Sequence, residues 1–205
     1  MNCNLIEYIE KYVLPEYAKN DNGHGIEHID YVIKRCNKFA QQFENIDLNM
    51  LYTIACFHDV AHHINKNNHE ILSAQIFYDN DDMTQFFSDE ERIVIKEAIE
   101  DHRASSHSSP RSDYGKIISS ADRSTDVDDF LKRTHLYTLK HQPNLTMKEM
   151  IERAYRHTVD KYGNQGYAKH YVIDEDYIDF RNEINSLIER EESFEERYKK
   201  VNNIE

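Results

Sequence analysis

Residues 56–63 read CFHDVAHH, and the run that leads into them, residues 51–57, reads LYTIACF. Three histidines and an aspartate thus interrupt a segment that otherwise looks like protein core. Leu51, Ile54 and Ala55 fall at i, i+3, i+4, one face of a helix, and the i+7 position of that face is His58. His62 lies one turn further on the same stripe, and Asp59 flanks it. The spacing predicts a helix over about residues 51–63 whose buried face ends in titratable groups.

The same figure recurs outward from this segment. Ile95, Ala98 and Ile99 form i, i+3, i+4, and their i+7 position is His102. His69 opens a stripe continued by Leu72, Ser73 and Ile76. Ile118 and Ala121 lead into Asp122. His28, one turn after His24, sits at the edge of an Ile29/Val32/Ile33 face. One histidine on an apolar face is usually a satisfied core residue. Several helices that each send an imidazole or carboxylate inward are a different matter, because buried polar groups without partners cost a few kcal/mol each. A metal ion resolves that cost, and bundle cores build such sites from facing helices. Imidazole and carboxylate donors without thiolates suit Mn, Fe, Ni, Co, Zn or Mg rather than a structural thiolate zinc site.

Composition bounds the fold. In 205 residues there are 5 glycines and 3 prolines, too few for the turns of a sheet protein, while 39% of residues are hydrophobic. With mostly helical spacing this predicts an all-α fold, a helical bundle with the metal site in its core. Helices are expected over about 3–19 (bent at Pro15), 26–43, 51–63, from 69 to the acidic DNDD at 79–82, from Ser88 to about 103, 114–123, 127–141, from a Thr146/Glu149 capping box to about 162, and from 174 onward. The break DNGHG at 21–25 precedes the second helix. The stretch GNQGYAKHY at 163–171 reads as a connector or a lid. The tail EESFEERYKK at 191–200 reads as a solvated helix held by i, i+4 pairs. The domain expectation is one helical domain over 1–205, with a core at 20–140 and a C-terminal helical extension at 141–205.

The formal charge of −13 disfavours nucleic acid and anionic membranes as partners. Cys3, Cys36 and Cys56 have no zinc-finger spacing, and the last two read as small buried hydrophobes. No run approaches the ~18 apolar residues of a membrane span. The acidic, mixed N-terminus is unlike a signal peptide, so the expected location is cytoplasmic. No GxxxxGK[ST] occurs, which excludes a P-loop enzyme. A monomer or small homo-oligomer is expected.

The order His28, then His58-Asp59, then Asp122 resembles the H…HD…D signature of the HD-domain superfamily of metal-dependent phosphohydrolases. The resemblance includes GHGIEHIDYV around His28, ACFHDVAHH around the doublet and IISSADR around Asp122, and it covers about residues 20–140. It implies a metal held by His28, His58, Asp59 and Asp122. His69 in NHEILSA and His102 in EDHRASS look like the extra histidines of two-metal members, with Asp59 bridging; with a single metal they would contact substrate phosphate instead. Two departures stand out. Many relatives read HDIG where this chain reads HDVA, and His62 stands where relatives often carry Lys or Glu. His62 is either a proton carrier beside Asp59 or a hydrogen-bond partner of a ligand. The acidic pair typical of guanosine-tetraphosphate hydrolases is absent, which argues against that substrate.

The implied activity is hydrolysis of a phosphate ester or anhydride of a small molecule, a nucleotide among the candidates, by a water activated on a divalent ion. Asp59, His62 and Lys116 are the expected catalytic residues. Arg103, Arg111, Lys116 and Arg123 are the expected phosphate contacts, Arg123 being equally suited to pair with Asp126. Two other readings remain open at this point. One is a two-iron oxygenase of the same superfamily. The other is a non-catalytic, metal-stabilised module that binds a nucleotide or a protein.

Overall fold

Capping side chains fix most helix starts in the computed structural model, which describes residues 1–21, 23–106 and 108–204. Asn22 of the DNGHG break and His107 of the loop before Pro110 lie outside the described residues. Asn2 accepts from the amides of Asn4 and Leu5 at the start of α1 (Cys3–Tyr12), and a 3₁₀ stretch, Leu14–Lys19, follows with Pro15 in its first turn. The single expected helix over 3–19 is therefore two pieces, divided where proline cannot continue the ladder. Then come α2 (Ile26–Ala40), α3 (Leu48–Phe57, capped by Asp47) and α4 (His69–Tyr78). After a short 3₁₀ turn at Asp81–Gln85, a Ser88/Glu91 capping box opens α5 (Asp89–Asp101), and Ser112 caps α6 (Asp113–Ala121). Asp126 caps α7 (Val127–His141), and the Thr146/Glu149 box opens α8 (Met147–Tyr162) as expected. Last are α9 (Glu175–Ile188) and α10 (Glu191–Val201). No strand occurs among the described residues, so the fold is all-α. No helix among them is long and apolar enough to cross a membrane.

The helices form two compact units. The first comprises Met1–Asp122 with the short return His170–Ile173. In it α2, α3, α5 and α6 pack on one another, and α4 lies on α5. Their shared core includes Ile29, Val32, Phe39, Leu51, Ile54, Phe57, Ile95, Ala98, Ile99 and Ile118, and Cys36 and Cys56 are buried in it as small hydrophobes. Burial pushes the Cys56 thiol up to about 12, so neither a thiolate nor a metal ligand is available there. The return segment is tied by its backbone. Ile173 N–H donates to Gln42 Oε1 at 2.9 Å, Gln42 Nε2 donates to Ile173 O at 2.7 Å, and Tyr171 N–H donates to Ser120 Oγ at 2.9 Å.

The second unit, Arg123–Lys169 with Asp174–Glu205, contains α7 to α10. The structure thus draws the boundary at 122/123 rather than 140/141. The cause is α7, whose Val127, Phe130 and Leu131 sit in one cluster with Ala154, Tyr162, Phe180 and Ile184. The tail corrects the solvated-helix expectation. Phe194 and Tyr198 of α10 are buried in that cluster, and the Tyr198 hydroxyl shares a 2.8 Å hydrogen bond with His135 Nδ1. The expected Glu195–Lys199 pair forms at 2.9 Å on the outer face. The 163–171 stretch folds back on α8 through Tyr167 N–H to Asp160 O and Ala168 N–H to Lys161 O.

Burial, then the nearby Lys161 and Arg153, depress His157 on α8 to about 4 from an ordinary 6.5. Between those values the unfolded chain binds a proton that the folded chain refuses. This group's share of stability is therefore complete above pH 6.5 and is lost as pH falls toward 4, at about 1.4 kcal/mol per pH unit. Urea melts at pH 7, 6 and 5 are expected to show wild type losing more stability than His157→Gln across that window. Parallel losses in the two proteins would rule the assignment out.

Candidate metal centre

Every residue of the expected ligand set lies at or near a helix end. His28 is in the first turn of α2, His58 follows the last residue of α3, His69 is the first of α4, His102 follows α5, and Asp122 follows α6. Helix α3 stops at Phe57, six residues short of the expected His63, and the chain continues through tight turns closed by Val60 N–H to Phe57 O and His62 N–H to Asp59 O. The last turn of a helix leaves carbonyls without helical partners. His58 Nδ1 meets Ala55 O at 2.7 Å, and His102 Nδ1 meets Ile99 O at 2.6 Å. His69 does the same before α4, with Nδ1 3.0 Å from Lys66 O. In all three the partner is the carbonyl three residues back. A carbonyl only accepts, so each Nδ1 carries the proton and each Nε2 presents a lone pair.

Those Nε2 atoms converge on Asp59, which is 2% exposed. Asp59 Oδ2 lies 3.6 Å from His58 Nε2 and 3.8 Å from His28 Nε2. Asp122 Oδ1 completes this side, 3.2 Å from His28 Nε2 and 3.9 Å from His58 Nε2. Asp59 Oδ1 faces the other way, 3.1 Å from His69 Nε2 and 3.4 Å from His102 Nε2. His69 Nε2 and His102 Nε2 are 3.1 Å apart, and His58 Nε2 and His28 Nε2 are 3.4 Å apart. Nitrogen lone pairs at such distances repel unless a proton or cation lies between them. The donor set therefore fits divalent ions, one per carboxylate oxygen, with His28, His58, Asp59 and Asp122 on one side and Asp59, His69 and His102 on the other.

The charges of the ion-free chain agree. Burial opposes ionisation of Asp59, yet His58, His102 and His69 outweigh it and hold the carboxyl well below its usual range. Asp122 is likewise lowered against burial, chiefly by His28. Burial takes His58 down to about 4, which keeps it neutral. His69 is raised despite burial, through its hydrogen bond to Asp59. A proton there takes the position a cation would claim.

Residues outside the expected set hold this geometry. Tyr17 OH donates to Cys56 O at 2.9 Å and accepts from Asp59 N–H at 3.2 Å. Asn20 Nδ2 donates to Asp59 O at 3.1 Å, and its Oδ1 accepts from His63 N–H at 2.9 Å, which accounts for His63 as a support rather than a ligand. The buried Arg35 donates from Nε to Ala121 O at 3.1 Å and from Nη2 to Ser120 O at 3.3 Å, a cation on the C-terminus of α6 beside Asp122. The only hint of Arg35 in the sequence was a charge three residues after Val32 on an apolar stripe.

The expected phosphate cations are mostly committed to carboxylates. Arg111 meets Asp101 Oδ1 through Nε at 3.0 Å and Glu100 through Nη2 at 2.7 Å, and its N–H donates to Asp101 Oδ2 at 2.7 Å. Gly115 admits this arrangement, since a Cβ there would stand 2.8 Å from Asp101 Oδ2. Arg111 is thus a brace for the residue preceding His102. Lys116 pairs with Asp113 at 2.8 Å on α6, six residues and about 9 Å of helix rise before Asp122. Arg123 belongs to the second unit and donates to Lys169 O at 3.3 Å. Arg103 pairs with Glu70 at 2.8 Å, joining the residues that follow His69 and His102. His62 is buried beside His69, ring centroids 5.1 Å apart. His28, His58, His102, His69, His62 and His24 close into a ring of imidazoles, neighbouring centroids 3.7 to 5.8 Å apart.

Residues 25–125 match the family model of the HD domain. No curated protein matches the chain. A solved structure, that of a predicted HD superfamily hydrolase from an uncultured Thermotogales bacterium, is similar to it at 22% identity. The match covers 78% of this chain and 94% of that one, with a TM-score of 0.47.

Proposed function

The chain carries an HD domain at residues 25–125, and on that premise we propose that it is a metal-dependent phosphohydrolase acting on a small phosphate ester or anhydride, nucleotides among them. The observation that carries this reading is Asp59, a buried carboxylate with one oxygen toward each histidine set. Bound divalent ions would lower the pKa of a water toward neutrality and neutralise charge on a phosphoryl group. The chain supplies the rest. Its Nδ1–carbonyl bonds fix three imidazoles with Nε2 inward, so no reorientation is needed when substrate arrives. Asp122 is the more exposed carboxylate of the first set, its side chain 21% exposed against 3% for Asp59. Arg103, next to His102 and tied to Glu70 at the second set, is the cation best placed for a phosphate oxygen. Lys116 and Arg111 face carboxylates, Asp113 and Asp101, and of the expected cations Arg103 alone directly follows a histidine of the second set.

Metal-free protein reconstituted with Mn²⁺, Co²⁺, Ni²⁺ or Mg²⁺ is expected to release phosphate from at least one member of a panel of phosphomonoesters, phosphodiesters and nucleotides. EDTA should abolish that release, and added metal should restore it. Oxygen uptake by the iron form without phosphate release would favour the oxygenase reading instead. Absence of both activities, with metal still raising the melting temperature, would favour a binding module.

A further inference from the structure

A third group of donors lies beside the pair. Asp21, His24 and His62 each offer a ligand atom, all within 4.8 Å of one another. None belongs to the two sets around Asp59. Asp21 and His24 come from the break before α2, and His62 comes from the turns after α3. His62 is 6% exposed, and its Nδ1 is buried with no hydrogen-bond partner among the described residues. An orphaned buried nitrogen is destabilising, a cost a ligand would remove. The His62 ring stacks on His24, centroids 3.7 Å apart and planes 21° apart, which keeps the two imidazoles side by side. His24 Nδ1 lies 2.7 Å from Asp21 Oδ1, and Asp21 Oδ2 takes Lys66 Nζ at 2.6 Å.

We propose that Asp21, His24 and His62 form a third cation site, selective for a divalent first-row transition ion. Two imidazoles and one carboxylate are a borderline donor set, suited to Zn²⁺, Co²⁺ or Mn²⁺ more than to Ca²⁺. Three protein ligands leave a position for water or a phosphoryl oxygen. The ring contacts of His62 with His69 and of His24 with His28 place the site against the pair. This role replaces proton transfer for His62. Lys66 on Asp21 competes with the ion, so this site binds more weakly than the other two. The inference stands whether or not the pair hydrolyses phosphate.

Titration of the metal-free full chain with Co²⁺, followed by calorimetry and by elemental analysis after desalting, tests it. Wild type is expected to take up three equivalents, the third weakest. His24→Ala and Asp21→Asn should stop at two, with unchanged helical circular dichroism. Lys66→Gln, which removes the competing charge, should tighten the third equivalent about tenfold. Asp59→Asn should keep one. The same number of equivalents in His24→Ala as in wild type overturns the proposal. A single equivalent kept in Asp59→Asn and lost in His24→Ala would support this site even if the pair failed. Crystals soaked in Co²⁺ should show an anomalous peak bounded by Asp21, His24 and His62.

Discussion

Asp59→Asn is expected to strip both ions of the pair from the protein and to lower phosphate release by about a thousandfold or more. The size of the effect follows from geometry. Each Asp59 oxygen serves a different histidine set, 3.6 Å from His58 on one side and 3.1 Å from His69 on the other. The amide keeps the volume but loses the charge, and its nitrogen offers no lone pair. The amide oxygen can serve only one set, so the other loses a ligand atom, and both lose the shared charge, the only one in the second. The backbone around residue 59 stays held by Tyr17 and Asn20, so helical content should not change. Elemental analysis alongside a phosphate-release assay reads both consequences. An Asp59→Asn protein that retained both ions of the pair would show that the carboxylate does not bridge.

His102→Ala is the next largest and is expected to be selective. The imidazole is 1% exposed, and its Nδ1 takes the Ile99 carbonyl at the end of α5. Its loss removes one of three donors from the second set and none from the first. Metal content should fall by one equivalent, and phosphate release by about a hundredfold or more. Deleting the ring also leaves the Ile99 carbonyl with only the backbone N–H of residue 102 and opens a cavity, together about 2 kcal/mol or more. Asp122→Ala is the counterpart on the first set. If the two substitutions removed the same ion, the division into two sets would be wrong.

Much of this centre was legible because buried polar groups stand out against apolar periodicity. His28, His58, Asp59, His69, His102 and Asp122 were all expected, and the structure brings them together. Helix extents were less legible. The stripe through Leu51, Ile54 and His58 reads as continuous to His62, since a few tight turns keep nearly the facing of a helix, yet α3 ends at Phe57. The supports were barely legible. Tyr17, Asn20 and Arg35 act on backbone atoms of distant residues, which leave no pattern in side-chain spacing. Arg111 and Lys116 show the opposite limit. Each lies near a ligand in sequence, and the carboxylate that faces it in space leaves no mark in the spacing. Asp21 was hidden in a break whose composition suggested only a turn.

Three imidazoles gripped by the carbonyl three residues back have a consequence for inheritance. Each grip is a four-residue module, Ala55–His58, Lys66–His69 and Ile99–His102, that needs only its own backbone. The aliphatic middles of α3 and α5 can drift, and surface residues can be replaced wholesale, without turning a ring away from its ion. A lineage built this way can diverge in sequence while the centre is handed down nearly intact.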